Sequence, residues 1–242
     1  MDLLDVGCSP GTITIGLAKR VAPGWAIGVD HDKEHIIAAR DLANRYNGLN
    51  VSFQHGSALD LAFEDESFDV VFENNVFTHI AEETSRAALE IYRVLRPGGI
   101  FAARDVDAKA VIWGNASPEL EELDHLFIHW HSSRGSDITF GQRLPKILRS
   151  AGFRKIKKSV SADTKGTLEA VRSHANITES LLDGPFGRFI RGEVLAGNRK
   201  VEQLKRVIWK WADHPDSFFA NVHVEVIGWK SNNGGSRKDR HE

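Results

Sequence analysis

A glycine-containing loop near the start of the chain has the spacing that is most informative about chemistry. Residues 5–12 read DVGCSPGT, so that Gly7 and Gly11 stand between an apolar run and an amphipathic stretch. Glycine permits left-handed backbone angles and close approach of a ligand, and the start of the following helix offers unpaired N–H groups to an anion. The pattern favours a ligand-binding loop, and a tight strand–helix connection without a ligand is the alternative.

An acidic residue, Asp30, closes the next apolar run, 23 residues after Gly7. A carboxylate at this distance and at the end of a strand is typical of a group that accepts hydrogen bonds from ribose hydroxyls. A helix N-cap and a solvated loop residue are the alternatives. The loop, the spacing and the strand end agree, so we interpret Asp30 as a ribose-binding residue.

The loop does not match the motifs that hold a pyrophosphate. A Gly-x-Gly-x-x-Gly fingerprint that starts at Gly7 would need glycine in place of Ser9 and Thr12, and the Gly-x-x-x-x-Gly-Lys-Ser/Thr loop is absent. A ligand that presents a carboxylate and a ribose matches this shorter loop better.

Three histidines lie close together in the second half of the chain, at positions 125, 129 and 131. On a helix, His125 and His129 share one face at i, i+4, which is compatible with a metal ion. No acidic or cysteine ligand of known position completes a set, so we predict no metal site. A lid helix that presents His129 and Trp130 to a substrate is one interpretation, and an ordinary amphipathic helix is the other.

The composition excludes several classes of protein. The chain has 242 residues, 41% apolar and 26% charged, which are values typical of a soluble globular protein. Its 31 basic and 33 acidic residues give no electrostatic reason to expect a nucleic-acid or membrane partner. A single cysteine, Cys8, favours a reducing compartment, and we find no signal peptide and no run near the ~20 apolar residues of a membrane span. We therefore expect a cytoplasmic protein.

Short apolar runs alternate with amphipathic stretches through the first hundred residues. They predict strands at 3–6, 25–29, 51–54, 69–72 and 100–103, and helices at 12–21, 32–46 and 82–95, with a turn at Arg96-Pro97-Gly98-Gly99. This alternation predicts an α/β fold in which a doubly wound, mostly parallel sheet is covered by helices on both faces.

The second half of the chain is mainly amphipathic. We predict helices at 117–131, 139–151 (with a kink at Pro145), 168–182, 186–195 and 201–211, and strands at 156–164 and 221–229. No linker marks a boundary, so we expect one domain over residues 1–230, with cap helices roughly at 117–151 and 167–213. Residues 231–242 lack apolar anchors and are expected to be disordered.

The motifs together resemble those of class I S-adenosylmethionine-dependent methyltransferases. The run LDVGCSPG at 4–11 is similar to their first motif, Asp/Glu-x-Gly-x-Gly-x-Gly, and Gly28-Val29-Asp30 is similar to their second. Residues 55–58 (HGSA), 67–71 (SFDVV) and 95–99 (LRPGG) resemble the adenine loop, the fourth strand and the turn before the fifth. The branch that includes the ubiquinone/menaquinone-biosynthesis methyltransferases is the most similar. The resemblance implies a seven-stranded Rossmann-like sheet in the order 3-2-1-4-5-7-6, with an antiparallel strand seven.

The resemblance also implies roles for the matching residues. Asp5 would orient the loop and the cofactor's amino group, and the glycines would shape the turn around its methionine part. Asp30, followed by His31, would hold the ribose, the backbone N–H of Ala58 would meet the adenine, and the Asn74 carbonyl would face the ammonium group. The complete set of cofactor-binding residues implied is Asp5, Gly7, Ser9, Gly11, Asp30, His31, Ser57, Ala58 and Asn74.

Two residues depart from the family pattern. Ser9 replaces the middle glycine, which lowers the affinity for the cofactor or is neutral if the side chain points away. Ser57 stands where the branch usually has an aspartate for the adenine amino group, so it bonds more weakly or leaves that role to a neighbour such as Asp60. Family members also have helices before the first strand, whereas Asp5 lies four residues from Met1. A fragment, a misassigned start or cover from another element would explain this, and we expect a more exposed cofactor on that side.

We predict methyl transfer from S-adenosylmethionine to a small, partly apolar organic acceptor, at oxygen, nitrogen or carbon. His79 occupies a position that often faces the acceptor in the similar branch, and it is a candidate base beside His129; a turn-stabilising role is the alternative. A cofactor-binding protein without methyl transfer is the rival function. A nucleic-acid methyltransferase is disfavoured, because no Asp/Asn-Pro-Pro-Tyr/Phe segment follows the fourth strand. A homodimer is one possible assembly.

Overall fold

The strands of a computed structural model follow the predicted order. The structure describes residues 1–193 and 197–232; Val194 and Leu195 of one predicted helix and residues 233–242 of the predicted disordered tail lie outside the described residues. The strands are β1 (Leu3–Val6), β2 (Ala26–Asp30), β3 (Val51–His55), β4 (Phe68–Asn74), β5 (Leu95–Val106), β6 (Ile112–Gly114), β7 (Arg154–Lys165) and β8 (Phe218–Trp229).

The helices also lie close to the predicted ranges. They are α1 (Thr12–Val21), α2 (Lys33–Ala43), α3 (Thr84–Val94), α4 (Pro118–Ser132), α5 (Leu144–Ser150), α6 (Leu168–Asp183), α7 (Pro185–Glu193) and α8 (Gly197–Ala212). Apolar residues at helical spacing explain them. In α3, for example, Ala87, Ala88, Ile91 and Val94 are all buried on one face.

The sheet has the order β3-β2-β1-β4-β5-β8-β6, with β7 paired to β8. The four pairs from β3 to β5 are parallel, and β1 is buried along its whole length because it lies between β2 and β4. Backbone hydrogen bonds join Gly99 to Lys230 and Asp107 to Val222, so β8 runs antiparallel to β5. The doubly wound fold and the antiparallel last strand are therefore confirmed, and β6 is an additional strand.

Two local predictions were wrong. Residues 96–99 belong to β5 and do not form a separate turn. Phe68 of β4 pairs with Leu95, and Val70 pairs with Ile100, so these four residues bulge from the ladder and stay within the strand. Pro145 does not kink a long helix. It lies in the first turn of α5, after a short 3-10 helix at Phe140–Arg143, where its missing N–H costs nothing.

The described chain forms two compact units. The first comprises residues 1–105, 140–159 and the chain from Val224, and the second comprises residues 106–139 and 160–223. The first unit buries a cluster that includes Leu4, Val71, Ile91, Phe101 and Phe153. The second buries its own cluster, which includes Leu120, Leu182, Phe186, Leu204 and Trp211. The single domain over residues 1–230 stays a prediction.

Candidate functional site

The loop between β1 and α1 is fixed by main-chain hydrogen bonds. The amides of Gly7 and Cys8 both donate to the Val29 carbonyl, at 2.7 and 3.0 Å, which ties the loop to β2. Gly7, Ser9 and Gly11 all have positive φ values, of 72°, 50° and 84°. Gly11 is the N-cap of α1 and offers no side-chain cap, so the first turn of this helix relies on other acceptors.

Packing against neighbouring side chains explains the two glycines more directly than ligand approach does. A Cβ atom on Gly7 would lie 2.3 Å from Cγ2 of Val76, and one on Gly11 would lie 2.7 Å from Cζ of Phe53. Positive φ values add strain for any larger residue. The sequence interpretation gave backbone angles and ligand approach as reasons for these glycines, with a tight strand–helix connection as the alternative. It missed these contacts because the side chains that pack on the glycines come from β3 and from the segment after β4.

Gly7→Ala is expected to destabilise the chain by about 1–3 kcal/mol, because it combines a strained φ with a collision. The measurement is the free energy of unfolding in urea. The control is the cost of Gly7→Ala in a Val76→Ala background, where the colliding methyl group is absent and only the φ strain remains. An equal cost in the two backgrounds would contradict the packing explanation.

Asp30 is the buried carboxylate that links the loop to the end of β2. It is 5% exposed, its Oδ2 accepts the Ser9 N–H at 2.9 Å, and its Oδ1 accepts the Asp32 N–H at 2.9 Å. The helix-capping role that we considered for Asp30 belongs to Asp32, which accepts from the Glu34 N–H. Oδ1 also lies within hydrogen-bonding distance of Nδ1 of His35, at 3.4 Å. Because a carboxylate oxygen has about two lone-pair positions, Oδ2 is the oxygen that retains capacity for another donor.

Two histidines lie next to the Asp30 carboxylate. His31 and His35 each place Nδ1 3.4 Å from Oδ1 of Asp30. The His31 side chain is 88% exposed, and its carbonyl accepts from Nε2 of His55 at 3.1 Å. The sequence-predicted His31 therefore lies beside Asp30, at the carboxyl ends of β2 and β3.

Asp5 is buried below the loop. Its Oδ2 accepts the Thr14 hydroxyl at 2.6 Å, which joins β1 to α1. Burial raises the pKa of Asp5 to about 7; the Thr14 hydrogen bond opposes this rise and the charge of Asp30 adds to it. Burial also raises the pKa of the Cys8 thiol well above its ordinary value. Asp5 therefore changes its charge near neutral pH while Cys8 stays a neutral thiol.

The predicted adenine loop follows β3. Oγ of Ser57 accepts the Leu59 N–H at 3.1 Å, and the Asp60 N–H donates to the Ser57 carbonyl. Ala58 packs against the apolar cluster of the first unit. The Gly56 N–H donates to the Asp30 carbonyl at 2.9 Å, so this loop is tied to the same strand end as the glycine loop.

The end of β4 carries Asn74, Glu73 and, further along, His79. Oδ1 of Asn74 accepts from Nη1 of Arg104 at 3.1 Å. Glu73 is fully buried and accepts the Val76 N–H at 3.0 Å, whereas His79 is exposed. Our sequence analysis missed Glu73 and its neighbour Asp105. A carboxylate inside an otherwise apolar strand, as in VVFEN and FAARD, is the signal that could have found them.

The candidate base His129 lies in the other unit, on α4. Its ring lies 5.3 Å from that of Phe189, within an aromatic surface of α4 and α7. The structure therefore does not bring His129 and His79 together within one unit. In residues 1–193 and 197–232, no group of three or more histidine, cysteine or acidic side chains is placed to hold a metal ion.

Comparisons with known proteins agree with this arrangement. The family described as "Methyltransferase domain" matches residues 3–99. A "Probable methyltransferase ltbC" from Aspergillus luteorubrus is 29% identical over 94% of this chain and 85% of its own. Residues 3–99 therefore carry a methyltransferase domain.

Solved structures share the methyltransferase fold. The YcgJ protein from Bacillus subtilis superposes with a TM-score of 0.61 at 18% identity, over 96% of this chain and 92% of its own. Phosphoethanolamine N-methyltransferase 2 of Haemonchus contortus, in complex with S-adenosyl-L-methionine, gives 0.56 at 19% identity, over 96% and 49%. The quinone branch is supported only locally, since a demethylmenaquinone methyltransferase from Symbiobacterium thermophilum is 40% identical over 41% of this chain and 40% of its own.

S-adenosyl-L-methionine is bound in the solved structure of the Haemonchus contortus enzyme, and it is the cofactor that the sequence motifs imply for this chain. The residues fit this cofactor, because Asp30 offers a buried carboxylate with spare acceptor capacity between the two loops that follow β1 and β3. Within the described residues, no helix has the length and apolar character needed to cross a membrane.

Proposed function

We propose that this methyltransferase acts on a small, partly apolar organic acceptor. The observation that carries the methyl-donor part of this proposal is the contact between Asp30 and the Ser9 N–H, which holds the glycine loop beside a carboxylate suited to a ribose. Two of the proteins that the chain is similar to are named for small acceptors, demethylmenaquinone and phosphoethanolamine. The near balance of 31 basic and 33 acidic residues offers no surface charge that would select a nucleic acid.

We assign the cofactor contacts as the sequence predicted them. Asp30 accepts from the ribose, with His31 beside it, and the loop of Gly7, Ser9 and Gly11 receives the methionine part. The Ala58 amide and the Ser57 hydroxyl face the adenine, and the Asn74 carbonyl faces the ammonium group. Ser9 holds a positive φ of 50° where the family pattern has glycine, and its amide donates to Asp30.

Bound S-adenosylmethionine supplies a sulfonium methyl group that is already activated for transfer. The chain therefore has to hold the acceptor in line with that group and exclude water, which together account for most of the acceleration. We assign the acceptor's proton to the exposed imidazole of His79, whose backbone N–H donates to the Val76 carbonyl at 2.9 Å and so fixes the segment after β4. His129 remains a second candidate on α4.

A cytoplasmic location is part of the proposal, because a single free cysteine, Cys8, needs no oxidising compartment. The homodimer stays a prediction.

The test is the formation of S-adenosylhomocysteine from S-adenosylmethionine with three acceptor classes: phenols, primary amines and quinols with a free ring carbon. We expect turnover with one class, and His79→Ala should lower kcat while the affinity for the cofactor is unchanged. His131→Ala is the control histidine. Cofactor binding without product from any class would favour the rival function, and undiminished turnover of His79→Ala across pH would remove the base assignment.

A further inference from the structure

Two carboxyl side chains that the proposed chemistry does not use are buried together where β4 and β5 end. Glu73 and Asp105 are both 0% exposed. Asn74 pairs with Arg104 in the β4–β5 ladder, which puts Glu73 and Asp105 on neighbouring strands within one residue of that pair. Burying two ionised carboxylates in one apolar region is very costly, so the pair requires a compensating arrangement.

One oxygen of each carboxyl group accepts hydrogen bonds from the residues that follow β4. Oε2 of Glu73 accepts the Val76 N–H at 3.0 Å. Oδ1 of Asp105 accepts both the N–H of Thr78, at 3.0 Å, and its hydroxyl, at 2.7 Å. These three hydrogen bonds attach residues 76–78 to the two carboxyl groups.

The other oxygen of each group lacks a well-formed hydrogen bond. Oε1 of Glu73 and Oδ2 of Asp105 are buried and, across the described ranges, neither has a partner in hydrogen-bonding geometry. The Arg104 N–H lies close enough to Glu73 to oppose part of the rise in its pKa. A proton on Glu73 would turn one of these atoms into a donor for the other group, so one proton satisfies both. Burial, together with the charge of Asp105, raises the pKa of Glu73 well above its ordinary value. Burial raises the pKa of Asp105 as well, but the Thr78 donors oppose that rise.

Residues 76–78 connect the glycine loop between β1 and α1 to the candidate base His79. Val76 packs over Gly7, and the His79 N–H donates to the Val76 carbonyl. Asn75 adopts a left-handed φ of 59°, and its N–H donates to the Arg104 carbonyl. A change in the hydrogen bonds of Glu73 or Asp105 would therefore move Val76 on one side and His79 on the other.

We propose that Glu73 and Asp105 share one proton and that this pair is a positioning device for residues 76–79. While the proton is present, Glu73 donates to Asp105 and both groups hold the segment. Once it is lost, two negative charges face each other without a donor, and the segment loses its fixed position. The functional consequence rests on the proposed function, whereas the shared proton does not.

Other ionisable groups lie on the elements around the pair. They are Asp5 on β1, His79 directly after residues 76–78, Arg104 on β5, Arg143 on the 3-10 helix before α5 and Glu225 on β8. Arg104 is engaged by Asn74 and lies 3.5 Å from Glu225, and the Arg143 guanidinium lies over the Phe140 ring. Asp5 and His79 are the two whose own titration has to be separated from that of the pair.

Glu73→Gln separates the titration of the Glu73–Asp105 pair from that of Asp5 and His79. Its side-chain amide group donates to Asp105 at every pH, while its side-chain carbonyl accepts the Val76 N–H. In the wild type, we expect the affinity for S-adenosylhomocysteine to fall by up to about tenfold per pH unit above the apparent pKa of the pair. In Glu73→Gln the affinity should stay high over the same range. Asp5→Asn and His79→Asn are the controls and should keep the alkaline fall. An identical fall in wild type and Glu73→Gln would overturn the proposal.

A measurement without cofactor tests the proton itself. In wild-type protein with 13C-labelled carboxyl groups, NMR should show one buried glutamate protonated at neutral pH, and its signal should be missing from Glu73→Gln. Ionised signals from both Glu73 and Asp105 at neutral pH would overturn the shared proton and leave the proposed function untouched. The protonation state is read in the wild type, and Glu73→Gln serves only to assign the signal.

Discussion

Asp30→Ala is expected to lower the affinity for S-adenosylmethionine about ten- to hundredfold, which corresponds to about 1.5–3 kcal/mol for a charge-assisted hydrogen bond. The variant removes the acceptor for the ribose and, with it, the acceptor of the Ser9 N–H. The glycine loop therefore loses an attachment at the same time as the ligand loses a partner. Isothermal titration calorimetry with S-adenosylmethionine measures the change.

Two further variants sharpen this test. Asp30→Asn should weaken binding nearly as much as alanine does, because each oxygen already accepts a backbone N–H and the new amide group would face one of them. Asp32→Asn removes a negative charge two residues away but keeps an oxygen for the Glu34 N–H, so its affinity should stay within about twofold. If Asp32→Asn weakens binding as much as Asp30→Ala does, general charge would be the cause and the ribose assignment would be wrong.

The free energy of unfolding of Asp5→Asn minus that of wild type is expected to be about 3–4 kcal/mol larger at pH 8 than at pH 3. In the unfolded chain Asp5 ionises near its ordinary value of 3.8, whereas burial keeps it protonated in the folded chain until about pH 7. Stability from this group is therefore fully present below pH 3.8 and is lost as the pH rises to about 7. Asparagine has no such proton, and its oxygen still accepts the Thr14 hydroxyl. Urea unfolding of both proteins across pH measures the difference.

Thr14→Val provides the matched comparison. It removes the donor that lowers the pKa of Asp5, so the loss of stability in this variant should continue to a higher pH than in wild type. A constant difference between Asp5→Asn and wild type at every pH would show that Asp5 is not protonated in the folded chain.

Local sequence patterns were sufficient for the elements whose burial is continuous. The bounds predicted for the first strand and the first helix coincide with β1 and α1. A short buried apolar run indicates a strand, and a single apolar stripe at helical spacing indicates a helix. Residues 96–99 were misassigned because Pro97 and two glycines are typical of turns, while the bulge that keeps them in β5 depends on pairing with β4 and β8. The strand β6 has only three residues and is defined by its partner β8.

The candidate site was only partly accessible from the sequence. Asp30 could be found from its spacing after Gly7, because the number of residues from the end of one parallel strand to the end of the next is nearly fixed in such folds. The collision that requires glycine at position 7 depends on Val76, which is distant in the sequence. The pairing of Glu73 with Asp105 likewise depends on the β4–β5 register, so neither residue alone indicates a shared proton.

The most direct test of the central claim is to map the binding of S-adenosylhomocysteine by NMR of the backbone amides. We expect saturable shifts of the Ser9, His31 and Ala58 amides, which come from the three loops that follow β1, β2 and β3. Shifts confined to other parts of the chain, or the same shifts produced equally well by a pyrophosphate-containing dinucleotide, would contradict it.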